Sequence, residues 1–202
     1  MTCVRRLKEY EDKLREEHGS PASSVFTVSG LVGVGSTTVA EIVSEEFEMD
    51  MVSSGTFFRR KASEMDLDLT EFFEKHRNPD VGPDPDLMWD RKVLGLAYTK
   101  EKTVLEGRLT GALLCDISDV RILVSCSEDV AVDRLAKREN TEPEYAKKRL
   151  LERNAEDIKT YREKYGIDIT DEKYYNVFVD NSGSLGSTRK EVVRKIRMVL
   201  EE

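Results

Sequence analysis

The sequence predicts an α/β fold, a five-stranded parallel sheet with helices on both faces. Three observations predict it. Five short runs rich in apolar and β-branched residues, Val25–Val28, Met49–Ser53, Thr103–Leu105, Val120–Cys126 and Asn176–Val179, are each separated from the next by helical sequence, the alternation that places parallel strands between two helical layers. The helical stretches carry apolar residues at three- and four-residue spacing, as helices packed on one face do. A glycine-rich turn, Gly30-Leu31-Val32-Gly33-Val34-Gly35, joins the first strand directly to a helix.

The elements follow in order. From about Val4 to Glu17, Val4, Leu7, Tyr10 and Leu14 form an apolar stripe among charges, which describes a short amphipathic helix. The Gly19-Ser20-Pro21-Ala22-Ser23-Ser24 segment then reads as a linker, so residues 1–24 are expected to form an extension to a domain spanning 25–202. The stripe suits docking on the body, on a second subunit or on a protein partner; a solvated, frayed helix is the alternative. Val39, Ile42, Val43 and Phe47 mark the helix after the glycine turn. Ser127 before Glu128-Asp129-Val130 is expected to cap a helix running to about Arg138. Thr141-Glu142-Pro143-Glu144 reads as a capping box with an early proline for a long charged helix to about Tyr165. Its many lysines and arginines fit either a solvated face or a functional one. Val192, Val193, Ile196 and Val199 mark a final helix from about Thr188 to Leu200.

Composition narrows the function classes. The chain has 202 residues, 39% of them hydrophobic, enough for one substantial core. A net charge of -8 gives no basic excess to draw it to nucleic acid or anionic membranes. Cys3, Cys115 and Cys126 form no C-x-x-C pair, which argues against a zinc knuckle or disulfide framework and for reduced structural thiols. No apolar run is long enough to span a bilayer, so a cytoplasmic location is expected.

The chemistry centres on the glycine turn. Gly30, Gly35 and Thr37 occupy the fixed positions of the pattern G-x-x-x-x-G-K-[ST], but Ser36 stands at the lysine position. A strand, a glycine loop and a helix N-terminus still aim several backbone N–H groups at one point, which favours phosphate without side-chain charge. Gly30, Gly33, Val34, Gly35, Ser36, Thr37 and Thr38 are therefore the candidate phosphate and nucleotide ligands. Thr37 stands where a hydroxyl would ligate Mg²⁺, unless it is a simple helix cap. By the switch-point rule ligands sit beyond the carboxyl ends of the strands, where residues 29–37, 53–59 and 106–111 should converge. There Ser54, Gly55 and Arg59 form a small turn with a guanidinium after the second strand. Glu106, Gly107 and Arg108 follow the third. Arginine grips phosphate bidentately, and a carboxylate at this edge holds Mg²⁺ through water or orients a substrate hydroxyl; a surface ion pair is the alternative for Glu106 and Arg108.

With the glycine loop, Ser53-Ser54-Gly55-Thr56-Phe57-Phe58-Arg59, Val104-Leu105-Glu106-Gly107-Arg108-Leu109, Arg134-Leu135-Ala136-Lys137-Arg138-Glu139 and Tyr161-Arg162-Glu163-Lys164-Tyr165-Gly166-Ile167-Asp168-Ile169 in place, the chain resembles the archaeal-type cytidylate kinases of the nucleoside monophosphate kinase superfamily, from about Val25 to Glu201. The resemblance implies a five-stranded core, a monophosphate-binding insertion from about 55 to 100, a basic lid from about 134 to 165, and transfer of the ATP γ-phosphoryl group to CMP or dCMP with Mg²⁺. It implies that Gly30, Gly33, Gly35 and Thr37 hold ATP and Mg²⁺, that Arg59 and Arg108 grip the acceptor phosphate, and that Asp86, Asp90 and Arg91 contact the acceptor nucleotide. Arg134, Arg138 and Arg153 would be lid cations over the triphosphate, catalytic together with Glu106, which would also serve the metal.

The chain departs from that pattern at Ser36, at Leu31-Val32 in place of Pro-Pro, at Thr56 in place of the common Asp, and at Thr160 in place of the common Arg. Two cations and a carboxylate are missing. Three readings are open at this point: a kinase in which Arg134, Arg138, Arg153 or Lys61 replaces the lysine, a noncatalytic nucleotide-binding or interaction module, and a kinase with a changed small-molecule acceptor.

Overall fold

The computed structural model describes residues 3–67, 69–76 and 84–201. Strands β1 (Val25–Gly30), β2 (Asp50–Ser53), β3 (Thr103–Glu106), β4 (Val120–Ser125) and β5 (Val177–Asp180) form one sheet in the order β2-β3-β1-β4-β5, every neighbouring pair parallel. The predicted fold class is therefore observed. β1 lies at the centre and is buried along its whole length, which explains why it reads as a near-continuous apolar run.

Alternation along the strands divides the core. Phe26, Val28, Val104, Ile122, Val177 and Val179 face a layer made by α2 (Ser36–Phe47) and α9 (Leu185–Leu200). Val25 and Leu105 face the opposite layer, which contains α1 (Cys3–His18), α3 (Ser54–Ser63), α5 (Pro85–Thr99) and the short α6 (Thr110–Leu113). Thr27 and Ser29 sit among these buried residues, and their hydroxyls donate to the carbonyls of Val120 and Gly107 at 3.4 and 2.8 Å. α4 (Leu69–His76) follows α3 and packs against it. Residues 68 and 77–83 of the expected 55–100 insertion lie outside the described residues.

α7 (Glu128–Glu139) and α8 (Pro143–Tyr165) form a hairpin at the ligand edge of the sheet. Its inner face buries Ala131, Leu135, Ala146 and Leu150 around Val32 of the glycine loop. Gly166, at φ 70°, ends α8 in the left-handed region. The 23-residue length of α8 carries it from the glycine loop across to the N-terminus of α5.

Several local expectations are corrected. Ser53 to Arg59 is not an open turn: Ser53 caps α3, accepting from the Thr56 N–H at 3.3 Å, so Ser54, Gly55 and Arg59 lie in the helix. The capping box at Thr141 does not form. Glu142 is the cap residue and offers no side-chain bond, while the Thr141 hydroxyl is buried without a partner among the described residues. Ser127 holds the cap position of α7 without a side-chain capping bond. α9 starts three residues earlier than expected, at Leu185, because Ser184 caps it through the Ser187 N–H.

α1 packs along α5. Leu7 and Leu14 are buried, the Tyr98 hydroxyl donates to Glu11 at 3.2 Å, and the Arg91 guanidinium lies 5.6 Å from the Tyr10 ring centre. Burial of two leucines contributes about 3–6 kcal/mol. Leu7, Tyr10 and Leu14 of the apolar stripe are thus turned onto the body, while Val4 stays exposed.

Candidate active site

The carboxyl ends of β1, β2 and β3 bring the three predicted segments together. The Ser29 hydroxyl donates to the Gly107 carbonyl at 2.8 Å and accepts from the Gly111 N–H at 2.9 Å. Ser36 donates to Glu106 Oε1 at 2.8 Å. Parallel register sets this up, since Val28 and Ser53 both pair with Glu106, one on either side of β3. Gly107 must be glycine here, because a Cβ would stand 2.6 Å from Thr110 Oγ1 and 2.8 Å from Trp89 Nε1.

The loop between Gly30 and α2 makes a backbone concavity. Gly33 and Gly35 take φ values of 85° and 83°, and Gly35 is the cap residue of α2. Such left-handed turns before a helix collect N–H groups on one side. Outside contacts hold the loop, among them a weak bond from the Cys126 thiol to the Gly33 carbonyl at 3.9 Å. Asn154 of α8 accepts from the Val32 N–H at 2.9 Å. The Val34 carbonyl accepts from Asn181 Nδ2 at 2.9 Å and from Arg134 Nη1 at 3.2 Å. Val34 itself is buried. Thr37 and Thr38 lie in the first turn of α2, Thr37 exposed and Thr38 half-buried.

Glu106 is only 7% exposed. Burial raises its carboxyl pKa, opposed by hydrogen bonds from Ser36 and Ser53 and by the charges of Arg108 and Arg59. The uncharged Ser36 therefore occupies, as a hydrogen-bond donor, the position beside this carboxylate where a lysine would be an ion-pair partner. Arg59 is exposed on α3, donating to Thr56 at 3.3 Å with its guanidinium over Gly55.

Arg108 pairs with Asp157 of α8 at 2.6 Å. Asp157 Oδ2 is buried without a hydrogen-bond partner among the described residues, and burial raises this carboxyl pKa despite Arg108 and Arg153. At the hinge of the α7–α8 hairpin, Glu139 faces three guanidiniums: Arg149 at 2.9 Å, Arg153 at 3.2 Å and Arg138 at 3.5 Å. Burial first, then the nearby Arg108 and Arg138 charges, lower the Arg153 pKa. Within the hairpin three guanidiniums, Arg138, Arg149 and Arg153, thus share the carboxylate of Glu139, and Arg108 holds Asp157, so guanidiniums outnumber carboxylates in these two ion clusters.

The acceptor set expected from sequence is only partly assembled. Asp86 and Asp84 bind Lys164 at 2.6 and 3.1 Å, fastening the end of α8 to the start of α5. Asp90, 2% exposed, accepts from the Tyr165 hydroxyl at 2.5 Å, and burial pushes its pKa up to about 8. Asp90 is therefore a buried packing partner of α8, not an open contact. Arg91 faces Tyr10 of α1 and stands apart from the cluster, because its helix position turns it toward that layer. Lys61 pairs with Glu64 at 2.7 Å at the C-terminal end of α3. Arg134 is engaged with backbone, donating to the carbonyls of Val34 and Asn181 at 3.2 and 2.8 Å.

Sequence reasoning missed Asn154, Asp157, Glu139, Lys164 and Asn181 as parts of this edge. One signal was available: Leu150, Asn154, Asp157, Tyr161 and Tyr165 fall on one stripe of α8 at three- and four-residue steps. Every residue of that stripe faces the body, with a contact to the loop, to Arg108 or to Asp90 among them.

Comparison with known proteins agrees with this geometry. The family model described as the Cytidylate kinase-like family matches residues 25–183. The cytidylate kinase of Methanothermobacter thermautotrophicus is 34% identical over 158 residues, covering 78% of this chain and 95% of the relative. That of Methanocaldococcus jannaschii is 34% identical over 161 residues, covering 78% and 88%. Among solved structures, an uncharacterised protein from Eubacterium ventriosum superposes with a TM-score of 0.64 at 12% identity, covering 87% of this chain and 99% of the other. The shikimate kinase of Bacteroides thetaiotaomicron superposes with a TM-score of 0.56 at 11% identity, covering 89% and 96%, a likeness of fold. Because the family model spans residues 25–183 and these cytidylate kinases are 34% identical over 78% of the chain, the chain belongs to the cytidylate kinase-like family.

Proposed function

We propose that this protein transfers the γ-phosphoryl group of ATP to CMP or dCMP. The observation that carries the reading is the joint placement of a backbone anion cradle, Gly30 to Thr37, beneath a hairpin in which three guanidiniums share one carboxylate. In the reaction an acceptor phosphate oxygen bonds to the γ-phosphorus as the bond to the β,γ-bridging oxygen breaks, and the electron pair leaves on ADP. Positioning and charge neutralisation supply most of the catalysis in such transfers.

The loop N–H groups bind the donor phosphates. Arg108 and Arg59 grip the acceptor phosphate, with Arg108 leaving Asp157 to do so. Arg138 and Arg153 neutralise the transferring group from the hairpin, in place of the missing lysine; the Arg108 charge acts on Arg153. Arg134 keeps the loop in shape. On this reading the segment from about 55 to 100 receives the monophosphate and the 134–165 hairpin is the lid.

The donor set fits Mg²⁺. No group of three or more His, Cys, Asp or Glu side chains among the described residues is placed to hold a metal by itself, and Mg²⁺ in such sites relies on phosphate oxygens and water with one or two protein ligands. The Thr37 hydroxyl and, through water, Glu106 would hold it, and when bound it neutralises charge on the phosphates. The noncatalytic alternative draws no support from the relatives, which are named as kinases. Among the described residues no helix is long and apolar enough to cross a membrane.

The test is ADP release from MgATP with a panel of monophosphates. CMP or dCMP is expected to give the highest kcat/KM. A different preferred acceptor would refute the substrate assignment, and no acceptor-dependent release from any member would refute the kinase reading.

A further inference from the structure

We infer that Asn181, in the turn after β5, is a positioning residue for the glycine loop: its side chain sets the orientation of the Val34–Gly35 peptide and so the aim of the Gly35 N–H. The inference rests on reading that loop as the cradle for the ATP phosphates.

The argument is one of peptide geometry. A trans peptide is planar, with its C=O and N–H pointing in opposite directions. Whatever fixes the Val34 carbonyl therefore fixes the Gly35 N–H on the far side. That carbonyl accepts two hydrogen bonds, from Asn181 Nδ2 at 2.9 Å and Arg134 Nη1 at 3.2 Å. Asn181 is 4% exposed, and its other amide atom, Oδ1, accepts from the Thr188 hydroxyl at 2.9 Å. Because Val34 O is only an acceptor, the amide must present its NH₂ there and its oxygen to Thr188. The Asn181 carbonyl in turn accepts from Arg134 Nη2 at 2.8 Å, so arginine and asparagine brace one another. Contact is direct, since a Cβ on Gly35 would collide with Asn181 Nδ2.

Gly35 is free to rotate this peptide. At φ 83° it has no side chain to resist a flip, and a flipped peptide would aim a carbonyl oxygen at the phosphates. In a loop with a lysine, an ammonium partly offsets such an error. With Ser36 in that place, the loop itself offers an anion only N–H groups and hydroxyls, and the brace from behind gains weight.

The experiment uses the full chain, with MgATP and CMP binding measured separately by calorimetry and the Gly35 amide followed by NMR. Asn181→Ala is expected to weaken MgATP about tenfold, the scale of one lost hydrogen bond at a preorganised anion site, and to leave CMP affinity unchanged. Asn181→Asp, which turns an acceptor toward the Val34 carbonyl, should weaken it further. Thr188→Val keeps the amide but removes its anchor; about threefold weakening with a shifted Gly35 resonance is expected, and it carries the test if the Asn181 variants do not fold. Unchanged MgATP affinity, or an equal loss for CMP, would overturn the positioning role while leaving the kinase reading intact. A wild-type chain that binds no MgATP would remove both.

Discussion

Asp90→Asn is a measurable consequence of placing a carboxyl inside the contact between α5 and α8. Asp90 is 2% exposed, and burial raises its pKa from 3.8 to about 8, against the Tyr165 hydrogen bond and the Lys164 charge and with the help of Asp86 and Asp84. Folded protein therefore holds this proton where unfolded protein releases it. Stability from the protonated group is complete below pH 3.8 and is lost as pH rises to about 8. At pH 7 the loss is about 4 kcal/mol, from roughly three pH units between the unfolded pKa and pH 7. Asparagine keeps an oxygen to accept from Tyr165 but cannot ionise. Asp84, Asp86, Lys164, Tyr165 and, from α1, Cys3 also face this region, and their titration is common to both proteins. The difference in unfolding free energy between Asp90→Asn and wild type, measured by urea denaturation from pH 4 to 8, isolates Asp90. It should rise from near zero at pH 4 to about 4 kcal/mol at pH 7. A difference constant within about 1 kcal/mol across that window would refute the burial argument.

Arg108→Ala should lower kcat/KM for CMP by about 10²- to 10³-fold, the cost of one lost donor to a phosphoryl group. It should also lower the melting temperature, because Asp157 loses its 2.6 Å partner; Arg108→Lys should restore stability better than activity. Ser36→Lys replaces the 2.8 Å hydrogen bond to Glu106 with an ion pair and should tighten MgATP binding at least about tenfold in calorimetry. Unchanged affinity would show that the lysine position no longer faces the donor phosphates. Leu14→Ala should destabilise the protein by about 2–5 kcal/mol in denaturant melts, since this residue of α1 is 6% exposed in the main core. No change would show that α1 does not contribute to the fold's stability.

The sheet and its glycine loop were legible because their causes are local. Continuous apolarity marked β1, and glycine followed by a helix marked the loop. The convergence of residues 29–37, 53–59 and 106–111 was legible too, but the pairing of Ser29 with Gly107 and of Ser36 with Glu106 was not, since it depends on strand order and register. The polar stripe of α8 was not legible as a site. Asn154, Asp157 and Tyr161 read as parts of a charged helix, because pattern cannot tell a polar side chain that meets a buried partner from one that meets water. Asn181 gave no signal either, since its role depends on a carbonyl far away in the chain. Thr141 failed for the opposite reason: its local pattern was correct for a cap, but the helix starts one residue later, with Glu142 at the cap position and the Thr141 hydroxyl buried without a partner among the described residues.

Val32 gives the hairpin an unexpected kind of ownership. Its side chain, 7% exposed, sits among Ala131, Leu135, Ala146 and Leu150, so the glycine loop contributes a wall to the hairpin's own small core. The hairpin is consequently not an exchangeable part. A chimera that transplants residues 127–166 onto a relative with a different residue at this loop position would leave a void or a clash at the joint. Recombination between family members would have to carry the loop and the hairpin together, although about a hundred residues separate them in the chain.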